Sequence, residues 1–121
     1  MAWQFNQREP VFIQIADRMR SEILFGKYKC EEQIPSVRQL AFEASVNPNT
    51  MQKALATLEE EGLLQTHGTV GRFVTSDTEV LKAASDSVRR KSVRNWLIEA
   101  HSLGFTQEEL IHYIKKEDDI L

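Results

Sequence analysis

The stretch "VNPNTMQKALATLEEEGLL", Val46 to Leu64, constrains the fold more than any other part of this 121-residue chain. Short polar side chains and a proline stand immediately before a helical pattern. Asn47 is placed to cap the free backbone N–H groups, and Pro48 at the first helical position loses nothing by lacking an N–H. Met51, Ala54, Leu55 and Leu58 then recur on one buried face. Asn49, Gln52, Lys53, Ala56 and Glu60 lie on the opposite face, and Gly62 ends the helix. A helix with one apolar stripe must be packed against other elements, so the neighbouring sequence decides the architecture.

Upstream, Phe12, Ile15, Ala16, Met19, Ile23 and Leu24 predict a first helix from about Pro10 to Phe25, with Pro10 in its first turn and Gly26 at its end. A short second helix follows in "IPSVRQLAFEA". Ser36 is its N-cap, Gln39 stands at the spacing of a capping box, and Leu40 and Ala41 face the core. Downstream, "LLQTH" and "RFVTS" read as two strands around the hairpin loop "GTVG". Helix, helix, turn, helix, hairpin is the order of a winged helix-turn-helix. From about Asp77 to Leu103 the pattern is helical again and Gly104 stops it. "FTQEELIHYI" then opens a last helix with Thr106 and Glu109 as a capping box and Phe105 and Leu110 as a hydrophobic staple. The expected fold is mainly α with a small β-hairpin: a winged helix-turn-helix over residues 1–76, then a two-helix C-terminal dimerisation region over 77–121.

The totals exclude several classes. No apolar run reaches the ~18 residues of a membrane span, and "MAWQFNQREP" lacks the apolar core of a signal peptide, so a cytoplasmic protein is expected. The single cysteine, Cys30, has no intramolecular disulfide partner. Net charge is −3, and neither half of the chain is basic: residues 1–75 carry 8 Lys and Arg against 9 Asp and Glu, and residues 76–121 carry 7 against 9. A nucleic-acid site must therefore be a local basic face on an acidic body.

In a helix-turn-helix the second helix of the pair enters the DNA major groove with its N-terminal residues nearest the bases. Asn47, Asn49 and Thr50 can reach phosphates or base edges, and the helix N-terminus itself favours a phosphate. Gln52 can pair with adenine, and Lys53 with the backbone or guanine. The bland alternative is a helix cap followed by a solvated face.

From Pro10 to Val74 the sequence resembles the DNA-binding domain of the GntR family of bacterial transcription regulators, on "PVFIQIADRMRSEILFGKY", "IPSVRQLA", "VNPNTMQKALATLEEEGLL" and "GRFV". "VNPNT" and a tail of about 45 residues are similar to its YtrA-type subfamily. The resemblance implies that Arg38 of the "PSVR" element contacts DNA, with Ser36 in the same element. It also implies recognition positions at Asn49, Thr50 and Gln52, and a wing glycine at Gly68, after His67, that approaches the minor groove. Three departures stand out: Pro48 where many members carry arginine, Gln52 where another basic residue is common, and Thr69 in place of a second wing glycine, which can redirect Arg72. With Arg38, Lys53, Arg72 and His67 as its few cations, one copy binds weakly. A homodimer on a pseudopalindromic double-stranded operator is the expectation.

In the tail, Leu81, Ala84, Val88, Trp96, Leu97, Ala100 and Leu103, then Ile111 and Ile114, mark apolar faces for a dimer interface. "RRKSVR", Arg89 to Arg94, is either a second phosphate contact or a solvated face. A small-molecule effector of unidentified chemistry would have to lie between subunits or between tail and winged domain, because two helices cannot enclose a cavity of several hundred Å³. His101 and His112 have no third ligand at metal spacing, and no cofactor motif, nucleophile with a base or phosphate loop is evident. The reading is a sequence-specific transcription regulator, a dimeric repressor of its own operon, with transporter genes among the targets the resemblance implies, relieved by a small-molecule signal. The alternative is a winged-helix protein-interaction module without DNA binding; no enzyme is expected.

Overall fold

The structure, a computed structural model, describes residues 2–117. Helix α1 spans Val11–Leu24, α2 Val37–Ala44 and α3 Pro48–Glu60. Strands β1, Leu64–His67, and β2, Gly71–Val74, follow, then α4, Thr78–Ser102, and α5, Gln107–Lys116. The expected order of elements is present.

The chain divides into two compact units, Met1–Ser85 and Asp86–Leu121. The first is the winged helix-turn-helix, in which α3 packs on both α1 and α2. Ile15, Met19, Leu40, Met51, Leu55, Leu58, Leu63 and Leu64 are buried in its core. All but Leu63 and Leu64, which open the first strand stretch, are marked by the apolar periodicities of the three helices, and their burial is what holds three short helices that would be marginal alone.

The helix ends follow local chemistry. Pro10 sits one residue outside α1 as its N-cap rather than in its first turn, its carbonyl accepting from Ile13 and Gln14 N–H at 3.1 and 3.4 Å. Ser36 Oγ accepts from Gln39 N–H at 3.1 Å, which is one half of a capping box. Asn47 Oδ1 accepts from Asn49 N–H at 2.7 Å, with Pro48 at the first helical position. Between α2 and α3, Ser45 adopts a left-handed conformation, φ 57°, which turns the chain sharply.

The hairpin pairs Leu64 with Val74, Gln65 with Phe73, Thr66 with Arg72 and His67 with Gly71. Residues 32–34 brace it along its far edge: Ile34 N–H donates to Arg72 O at 3.0 Å and Val74 N–H to Glu32 O at 2.9 Å. This third edge lies at the end of the stretch "GKYKCEEQ" and the Ile34 that follows it, where the sequence shows no regular period.

The wing ends at Val74, close to the boundary expected near Ser76, yet the compact unit continues to Ser85. The reason is packing: Val80, Leu81 and Ala84, in the first turns of α4, lie against the core of the winged unit. Trp3 and Phe5 pack on that core as well, and the Arg18 guanidinium lies 3.9 Å from the Trp3 ring centre. Among the described residues no helix is long and apolar enough to cross a membrane.

In the second unit α4 runs on to Ser102 and α5 begins at a complete capping box: Glu109 N–H donates to Thr106 Oγ1 at 3.1 Å and Thr106 N–H to Glu109 Oε1 at 3.0 Å. The Thr106 backbone N–H, with its hydroxyl as a second donor, holds the Glu109 carboxyl below the usual carboxylate range.

Candidate nucleic-acid interface

The exposed end of α3 is built by its cap. Asn47 Oδ1 is engaged by Asn49 N–H, and the residue as a whole is exposed. Asn49 and Gln52 are exposed and Thr50 half-exposed, while Met51, Ala54 and Leu55 on the other side of the helix are buried. The first turn carries no acidic residue, so nothing offsets the partial positive charge at this helix N-terminus.

Arg38 stands on the exposed face of α2 with no hydrogen-bond or ion-pair partner among the described residues. It lines one shallow depression with Phe42, Ser45, Val46 and Pro48, so the α2 arginine and the start of α3 are brought together. Phe42, 85% exposed, is the one large apolar side chain of α2 turned wholly to solvent. Its signal in the sequence is an aromatic lying off the Leu40 and Ala41 stripe. A phenyl ring beside an arginine on this face can meet a thymine methyl.

Ser36 and Arg72 share a second cleft with Gln33, Thr66, Thr69 and Gly71, between the start of α2 and the wing. Here the cations differ from the simple expectation of free charges. The Arg72 guanidinium is turned onto α3, where its Nε–H donates to Glu59 Oε1, and only 16% of the side chain is exposed. The Lys53 ammonium lies 4.0 Å from the centre of the Phe12 ring on α1, which steadies it at the edge of the exposed face. At the wing tip, the His67 ring stacks on Phe73 with centroids 4.6 Å apart. Gly68 follows with φ 54° and open space around it, and the turn closes with Val70 N–H donating to His67 O at 3.0 Å. Gly71, φ 140°, has a backbone that strains any other residue, and a Cβ there would also push the Gln33 amide, 2.7 Å away, to shift.

A capped helix with a polar exposed N-terminal end, an arginine on the preceding helix and a braced two-stranded wing make up a winged helix-turn-helix. The profile of the bacterial regulatory proteins of the gntR family matches residues 13–74, which contain all of these elements. The chain belongs to the GntR family.

It is similar to the HTH-type transcriptional repressor YtrA of Bacillus subtilis (strain 168), 32% identical over 108 residues, 88% of this chain and 83% of that relative. That likeness supports the YtrA-type subfamily. The fold of a GntR family transcriptional regulator from Listeria monocytogenes is similar at a TM-score of 0.85 and 31% identity, over 93% of this chain and 98% of that one. The DNA-binding domain of AraR in complex with operator ORX1 is similar at a TM-score of 0.56 and 25% identity, over 62% of this chain and 95% of that domain. This GntR protein is a DNA-binding transcription regulator, and a protein-interaction module without DNA binding is not favoured.

The tail residues of this GntR regulator fall into two groups. Leu81 and Ala84 are packed against the core of the chain's own winged unit. In the second unit Ala100 is buried and Val88 half-buried, whereas Trp96, Leu97, Leu103, Ile111 and Ile114 are exposed by 42–71%. An open groove of about 420 Å³ between α4 and α5 is lined by Trp96, Leu103, Phe105, Leu110, Tyr113 and Ile114, among others. The Phe105 and Tyr113 rings meet edge to face at 5.6 Å across its floor. Arg90, Lys91 and Arg94 line a polar face of α4 together with Ser87 and Asn95. Among the described residues no cluster of three metal-ligating side chains occurs.

Proposed function

We propose that this regulator is a homodimeric repressor that acts in the cytoplasm on a pseudopalindromic operator near its own operon, by binding rather than catalysis. The observation that carries the reading is the exposed, acid-free N-terminal end of α3, with Asn49, Thr50 and Gln52 on a helix whose other face is buried. In this reading Asn49 and Gln52 read base edges, while Asn47, Arg38, Ser36 and Lys53 position the helix on phosphates. His67 and Gly68 bring the wing to the adjoining groove.

Dimerisation is supported by Trp96, Leu97, Leu103, Ile111 and Ile114. A two-helix unit exposing that many large apolar side chains has a surface suited to a second copy. The groove between α4 and α5 is the candidate site for a small apolar effector once a second copy covers it, since two helices leave it open and only the pair would enclose its volume and aromatic lining. An effector bound there would alter the surface that pairs the two copies and so relieve repression.

The test is fluorescence anisotropy of the full chain against a duplex from its own promoter and a scrambled duplex, at ~50 and ~200 mM salt, since a protein that neutralises several phosphates loses affinity steeply between the two. Binding that separates the duplexes and falls steeply with salt supports the reading. Equal, feeble binding to both, repeated over neighbouring promoters, refutes it. Sedimentation of the parent and of Leu97→Asp checks the dimer, which the aspartate should dissociate.

A further inference from the structure

The Glu59 carboxylate joins the end of α3 to the wing. Its Oε1 accepts from Arg72 Nε–H and from Thr66 Oγ1, the latter at 3.0 Å. Thr66 and Arg72 are cross-strand partners, so both side chains leave the hairpin on one face and converge on the same oxygen. The Arg72 backbone is fixed as well, its carbonyl accepting from Ile34 N–H at 3.0 Å. An arginine one residue from the wing turn, able to reach any phosphate the wing approaches, is thus drawn back onto a carboxylate of the recognition helix.

We propose that Glu59 is a specificity-determining residue: by holding the Arg72 guanidinium on α3, it keeps the wing's one arginine off the DNA backbone and so suppresses sequence-independent binding. A cation on a wing strengthens attraction to every duplex equally, because phosphates carry no sequence information. Discrimination is a difference of affinities, and it is sharpened by removing a contact that both duplexes would share. With Arg72 neutralised, the base-edge contacts of Asn49 and Gln52 make up a larger share of what holds the protein on DNA. The inference rests on reading α3 and the wing as the DNA-facing surface.

The experiment measures anisotropy against operator and scrambled duplexes over a salt series for the parent, Glu59→Gln, Glu60→Gln, Arg72→Ala and the double variant Glu59→Gln/Arg72→Ala. Glu60 is an exposed neighbour on the same helix, so its variant makes the same charge change without freeing Arg72. Glu59→Gln should bind both duplexes more tightly, narrow the ratio between them, and steepen log Kd against log salt by about 0.9 per protomer, the slope of one added phosphate contact. Glu60→Gln should leave slope and ratio near the parent's. In the Arg72→Ala background the effect of Glu59→Gln should shrink to that of Glu60→Gln.

An equal effect of Glu59→Gln and Glu60→Gln would overturn the inference, because bulk charge alone would then explain it. So would a fall of about 0.9 in the parent's slope on Arg72→Ala, which would mean that Arg72 already holds a phosphate in the complex. The Arg72→Ala slope decides between a held and a free arginine even if Glu59→Gln fails to fold. Should the parent itself not separate the two duplexes, the DNA-facing reading fails instead, a result distinct from either of these.

Discussion

Asn47 has one role in the structure and a second in the proposed DNA complex, and one substitution separates them. Its Oδ1 caps α3 by accepting from Asn49 N–H at 2.7 Å, while the residue is exposed at the end of the helix proposed to meet DNA. Asn47→Ala removes both functions. Loss of an N-cap costs about 1 kcal/mol, which for a domain of this size lowers Tm by roughly 4–8 °C. Asn47→Asp keeps the acceptor and places a negative charge at the positive end of the helix dipole, a gain of roughly 0.3–1 kcal/mol. The same carboxylate, set about 4 Å from a phosphate, is repelled by about 1 to 4 kcal/mol depending on solvent access. That range corresponds to a loss of operator affinity of roughly fivefold to several hundredfold per protomer. The prediction is a crossed result: Asn47→Asp melts at or above the parent and binds operator far more weakly, while Asn47→Ala melts lower. Thermal unfolding followed by circular dichroism, with anisotropy on the operator duplex, reads both. Parent-like operator affinity for Asn47→Asp would refute the placement of this helix end against the DNA backbone. A parent-like Tm for Asn47→Ala would refute the cap.

Leu55, fully buried on α3, should cost about 2–5 kcal/mol as Leu55→Ala, seen as a lower urea midpoint at unchanged m-value. Gly71→Ala forces a side chain onto a residue at φ 140° and against Gln33 Nε2, whose hydrogen bond to Val70 O at 2.9 Å must then break. We expect a loss of roughly 1–3 kcal/mol and faster amide exchange confined to the wing and residues 32–34. The Glu109 carboxyl titrates below its ordinary range because Thr106 donates to its charged form, so its contribution is present at neutral pH. That contribution is lost as pH falls through the folded-state pKa. Amide protection in the first turn of α5, taken relative to the intrinsic exchange rate at each pH, should therefore fall on acidification in the parent and stay flat in Glu109→Gln, which keeps the capping-box acceptor without the titration.

What the sequence determined by itself is whatever a few neighbouring residues decide. Asn47 and Pro48 start α3, Thr106 and Glu109 start α5, and the Met51, Ala54, Leu55, Leu58 stripe chooses its buried face, because caps and periodicity act within one or two turns. The winged helix-turn-helix follows from the order of such elements, and with it the exposed polar end of α3. Tertiary structure decided the partners of side chains that are distant in sequence. The Arg72 guanidinium goes to Glu59, 13 residues away, and Lys53 to Phe12 on another helix, neither of which any local pattern encodes. The same holds for Leu81 and Ala84. Their helical spacing says that one face is apolar, but only the placement of α4's first turns against the winged core says which surface covers it. Residues 32–34 brace the wing although they have no strand period, since a neighbouring hairpin offered unpaired backbone groups at that edge. A long flexible side chain or an irregular backbone takes the partner that the fold brings near, and that choice exists only once the chain is packed.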